Sequence, residues 1–75
     1  MELNEFVQSF SEEFEDTSKE LFTPETEFKN LDEYDSLIAL SLISMVDEKM
    51  GKRITGADLR ACKTIEDLFN FVNSK

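Results

Sequence analysis

The chain has no histidine and no tryptophan, one cysteine, one proline and two glycines in 75 residues. Each shortage excludes something. Without histidine there is no Ser–His or Cys–His nucleophile pair and no imidazole metal ligand. No Asp-x-Asp-x-Asp-Gly loop occurs either, so no metal site is expected. A single cysteine, Cys62, allows no internal disulfide, which fits a reducing compartment. With no partner at metal-ligand spacing, Cys62 reads as a partly buried, inert thiol. Few glycines and prolines suit helices joined by a few loops better than a sheet with many turns. No apolar run approaches membrane-spanning length, and no basic region followed by an apolar run opens the chain. The expectation is a cytoplasmic protein with no membrane span.

Positive charge is also scarce. Eight Lys and Arg face seventeen Asp and Glu, for a net charge of −9. The imbalance is confined to one half. Residues 1–35 hold twelve acids and two lysines, a net −10, whereas residues 36–75 hold five acids and six bases, a net +1. Phosphate backbones need a basic footprint, so nucleic acid is excluded as a partner. A basic protein surface is favoured, with charge mainly speeding encounter.

What is present is helical pattern. Leu3, Phe6, Val7, Phe10 and Phe14 form one stripe, which predicts a first helix over residues 2–16 with an acidic outer face. Residues 17–34 read as a long connection broken by Pro24, with Leu21, Phe22, Phe28 and Leu31 as anchors and a short helical turn near residues 18–22. Asp35 is a good N-cap and Gly51 a good C-terminal stop for a second helix over 36–50. Ile54 is expected to turn inward. Thr55 caps a short third helix over 56–61 with Leu59 buried, and Thr64 with Asp67 forms a capping box for the last helix. Ile65, Leu68, Phe69 and Val72 give that helix its core stripe, with Phe71 at the edge. The fold expected is all-α: a small four-helix bundle of three main helices and one short third helix, with a long first loop. It is read as one domain over residues 1–75 and as a monomer; such a small core leaves a thin margin of stability.

Two features of the second helix point to function. Ser36 stands at its first position, where a hydroxyl meets free backbone N–H groups and the positive end of the helix dipole, a good place for a phosphate ester. With no histidine in the chain, Ser36 has no internal base, so another enzyme must activate it. On a helical wheel of about 100° per residue, Ala39, Ile43, Val46 and Met50 cluster on one side, read as the core side. Ser41, Ser44 and Glu48 lie opposite. Leu37, Ile38 and Met45 fall near that polar side and form a candidate partner-binding patch, unless the loop at 17–34 folds over part of them.

The segment Asn30-Leu31-Asp32-Glu33-Tyr34-Asp35-Ser36-Leu37, followed by an apolar helix, resembles the modification site of acyl carrier proteins. The resemblance extends over essentially the whole chain: a helix and a long loop before the serine, then a long helix, a short one and a capped final one. It implies that 4′-phosphopantetheine from coenzyme A is esterified to Ser36, and that the arm's thiol carries acyl groups as thioesters. The carrier itself would catalyse nothing. Asp35 would support recognition by the phosphopantetheinyl transferase, and Leu37 would contact that enzyme and later partners. Glu48 aligns with an acid that family members use for partner contact, with Asp47 beside it. Further partners would be acyl-loading and acyl-processing enzymes with basic or apolar docking surfaces. Many fatty-acid-type carriers follow Asp-Ser-Leu with an acid and place another three residues on; here those positions are Ile38 and Ser41. The third helix, Gly56-Ala57-Asp58-Leu59-Arg60, is less acidic than theirs, and the Gly-Gly that usually precedes the serine of peptidyl carriers is missing. These departures favour a specialised fatty-acid or polyketide-like pathway. The alternative is an unmodified, acidic, helical interaction adaptor using the Leu37/Ile38/Met45 patch.

Overall fold

Four helices form where stripes and caps place them, and no strand occurs. The structure is a computed structural model describing residues 1–75. Helix α1 spans Leu3–Ser11, α2 Ser36–Met50, α3 Gly56–Ala61 and α4 Ile65–Asn73. Starts and stops follow the expected side chains. The Asp35 carboxylate accepts the Ile38 amide at 2.9 Å. Thr55 with Asp58 and Thr64 with Asp67 form reciprocal capping boxes, each satisfying donors that a helix start leaves free. Gly51 ends α2 in the left-handed region at φ 65°, where glycine avoids the steric cost of a Cβ.

α1 is shorter than the stripe suggested, ending at Ser11 rather than near residue 16. Glu12, Glu13, Glu15 and Asp16 follow in sequence. Continued helix would pile these acids onto the negative end of its own dipole. Instead the Ser11 hydroxyl donates back to the Gln8 carbonyl at 2.7 Å, and the Lys19 ammonium donates to the Ser11 carbonyl at 2.8 Å. The chain unwinds, yet Phe14 still reaches the core.

The long connection is ordered because many parts of the bundle hold it. It contains two 3₁₀ turns, Lys19–Leu21 and Phe28–Asn30. Phe22 and Phe28 are buried, whereas Leu21, expected as an anchor, is exposed. The carbonyls of Pro24 and Thr26 accept the Glu66 and Ile65 amides at 3.0 and 3.1 Å, so the loop completes the first turn of α4. The Lys29 ammonium donates to the Arg60 carbonyl at the end of α3. Aromatic rings join these pieces. Phe10 lies edge-on to Phe28 at 5.3 Å, Phe14 meets Phe22 at 5.0 Å, and Phe6 meets Phe69 of α4 at 5.4 Å. Ring pairs of this kind add to the burial of their area.

The core side of α2 differs from the wheel reading. Leu42, Met45 and Val46 are its buried residues, while Ala39, Ile43 and Met50 are only half-buried. The buried face is therefore turned toward Leu42 and Met45. Met45 is 2% exposed, which corrects its placement on a free face. Ile38 is half-buried and packed against the core, so it too leaves the exposed patch. α2 packs on both α1 and α3, and two neighbours cover a wider arc than one. Ile54, Leu59, Ile65, Leu68 and Val72 are buried as expected, with Phe69 and Phe71 half-buried.

Candidate functional site at the start of α2

The segment entering α2 is extended at Asp35, with φ −153° and ψ −172°, and turns helical at Ser36. Asp35 closes the turn twice. Its carboxylate accepts the Ile38 amide, and its carbonyl accepts the Ala39 amide at 2.9 Å. The Ser36 and Leu37 amides, ahead of these, make no hydrogen bond within the chain. The Ser36 side chain is exposed, and its hydroxyl is engaged by no neighbour. An exposed hydroxyl thus stands beside two unpartnered N–H groups at the positive end of a fifteen-residue helix. A phosphodiester bonded to that oxygen would meet donors and favourable potential, with nothing to displace. The residues present fit such a group.

An exposed stripe runs from Ser36 along α2. Ser36, Leu37, Leu40, Ser44, Asp47 and Glu48 are all exposed, and at about 100° per residue they share an arc of about 120°. Leu37 is 73% exposed and Leu40 63%. Two large apolar side chains therefore follow the serine along this face, and two acids stand at the far end of the stripe. Leu40 escaped the sequence reading. Its signal is its spacing of four residues from Ser36, one turn along the same face.

One acid of the first half, Glu13, is coupled by charge to this surface. Burial pushes the Glu13 carboxyl above its ordinary value, and the charges of Glu48 and Glu12 push it further against the pull of Lys49. Glu13, two residues beyond α1, therefore lies within electrostatic reach of Glu48. Distance in the sequence concealed this proximity.

The remaining candidates are placed elsewhere. Met45 and Ile38 belong to the core and its margin. Cys62 is buried at the end of α3, where burial pushes its thiol above the ordinary value, so it stays protonated at neutral pH. No three side chains among His, Cys, Asp and Glu are placed to hold a metal ion, and no helix is long and apolar enough to cross a membrane.

A family model described as "Phosphopantetheine attachment site" matches residues 4–72, nearly the whole chain. No curated protein and no solved structure gives a match.

Proposed function

The chain belongs to the phosphopantetheine attachment-site family and is a phosphopantetheine carrier; from that premise we propose that Ser36 bears the arm and that the carrier serves a specialised fatty-acid or polyketide-like pathway. The free, exposed hydroxyl of Ser36 beside the unpartnered Ser36 and Leu37 amides carries the assignment. Bound through phosphate, the arm supplies a thiol that holds acyl groups as thioesters. The chain's own part is to present the serine, shelter its ester with backbone donors and offer a docking face. A tethered acyl group meets each enzyme at high effective concentration. The chain catalyses nothing in this reading: the proton of the Ser36 hydroxyl must pass to a base on the transferase, since no histidine is available. Peptide mapping after reaction with coenzyme A and a transferase should find the arm on the peptide containing Ser36. Modification at any other residue would overturn the assignment.

The pathway rests on the docking face. Leu37 and Leu40 are the exposed apolar residues nearest the serine along α2, and the positions two and five residues after it are Ile38 and Ser41, not acids. Ile38 packs on the core, so the face beside the serine is more apolar than charged. Partners suited to it would use apolar contact, which salt does not screen, with the acids of α1 and of the end of α2 steering the encounter. General fatty-acid synthase enzymes should load acyl groups poorly onto the modified wild type and better onto Ser41→Glu. Efficient, strongly salt-sensitive loading of the wild type would return the protein to a housekeeping fatty-acid role.

A further inference from the structure

Glu33 ties the segment before Ser36 to a distant turn. Its Oε2 accepts the Glu15 amide at 2.8 Å. Its Oε1 accepts the Asp16 amide at 3.1 Å and the Thr17 hydroxyl at 2.6 Å. The partners lie 16 to 18 residues earlier in the chain. Both carboxylate oxygens are used, and irregular backbone after α1 gains the acceptors that its amides lack. The Thr17 hydroxyl first, and then the Glu15 and Asp16 amides, hold the Glu33 carboxyl below its ordinary value against an opposing effect of burial. At neutral pH the clamp is therefore closed.

The three residues leading to the serine are each anchored to something different. Glu33 holds the turn at residues 15–17. Tyr34 lies edge-on to Phe28 at 5.7 Å, reaching the core. Asp35 caps the helix that Ser36 opens. Of these, Glu33 alone spans to the chain beyond α1, closing the ends of the long connection on each other. Closing a loop in this way removes conformations from both of its ends.

Resting on the reading of Ser36 as the attachment residue, we propose that Glu33 is a positioning residue: its clamp on Glu15, Asp16 and Thr17 holds Tyr34–Ser36 in the geometry in which the serine is presented for modification. Thr17 is its partner in this role. Glu33 touches no reacting atom. It acts through the backbone of the two residues that follow it.

The test separates the clamp from charge and from stability. Thr17→Val removes one bond of the clamp without changing charge. Glu33→Gln removes the charge and turns amide donors toward amide donors. Asp32→Asn removes the neighbouring charge while leaving the clamp intact. All three are compared well below their melting temperatures, with coenzyme A saturating and carrier concentration varied. Thr17→Val and Glu33→Gln should each lower kcat/KM for arm transfer by about three- to thirtyfold, as misplacement of a reacting group does. Asp32→Asn should change it less than about twofold, the size of a screened surface charge. Backbone ¹⁵N order parameters of Asp35, Ser36 and Leu37 should fall in the two clamp variants alone. Wild-type rates and order parameters in Thr17→Val, or equal losses in Glu33→Gln and Asp32→Asn, would overturn the proposal. A wild type that takes no arm would reject the role of Ser36 instead, and the order parameters would then decide the clamp by themselves.

Discussion

Leu37 and Leu40 expose much of their apolar area to water on the helix face that follows an unencumbered hydroxyl, whereas Met45, five residues beyond Leu40, is closed into the core. The same helix therefore holds residues whose truncation should have opposite consequences. Leu37→Ala and Leu40→Ala should change unfolding free energy by no more than about 0.5 kcal/mol, as exposed substitutions do. Each should slow turnover by acyl-processing enzymes if the proposed docking face is correct, because the apolar side chain it shortens is exposed and not in the core. Met45→Ala should cost about 2–5 kcal/mol, from forfeited transfer energy and the cavity left behind. Urea denaturation together with an acyl-transfer assay checks the split; a Leu40→Ala variant as unstable as Met45→Ala would place Leu40 in the core. The sequence misplaces Met45 for a specific reason. Leu, Ile, Ala, Met and Val fill most of the positions of α2. With apolar residues on nearly every side, a wheel cannot say which arc the neighbours cover.

Among the elements, local chemistry is legible in the sequence and long-range chemistry is not. Asp35, Gly51, Thr55 and Thr64 fix helix ends because each acts on backbone within a few residues of itself. The end of α1 depends on Lys19 reaching back to the Ser11 carbonyl, and the order of the connection on Pro24 and Thr26 meeting α4; neither partner is a sequence neighbour. Glu33 escapes for the same reason, with its partners at least 16 residues away. At the site, Ser36 and Leu37 are legible from a motif at a helix start, and Leu40 and the nearness of Glu13 to Glu48 are not. The stop at Gly51 can be tested alone. Nothing lies within 4 Å of where its Cβ would stand, so Gly51→Ala meets no clash and bears only the conformational cost of φ 65°. It should lose about 1–2 kcal/mol by chemical denaturation, and a neutral result would show that α2 can end in another way.

For the whole molecule, charge sets how stability follows pH. Glu33 and Asp67 are held below their ordinary values of 4.5 and 3.8, Glu33 chiefly by the Thr17 hydroxyl and Asp67 chiefly by the Thr64 amide. Their contribution is complete above those ordinary values and disappears as pH falls through the lower values of the folded state. Glu13 has the opposite sign. Burial and then Glu48 and Glu12 raise it above 4.5, so its charged form opposes folding and protonation relieves it. A net charge of −9 adds repulsion that acid also eases. Melting temperature should therefore rise on acidification from neutral pH, peak above 4.5, and fall below it as Glu33 and Asp67 take up protons. Circular dichroism melts across pH check this, and Glu13→Gln should flatten the rise while leaving the acid limb unchanged. The central claim concerns one oxygen of this molecule, and intact mass tests it most directly. Wild type, Ser36→Ala, Ser41→Ala and Ser44→Ala are each incubated with coenzyme A and several broad-range phosphopantetheinyl transferases. Wild type, Ser41→Ala and Ser44→Ala should each gain a single phosphopantetheine unit, and Ser36→Ala none. A wild type left unmodified by every transferase, or a Ser36→Ala variant that still gains the unit, would contradict the account.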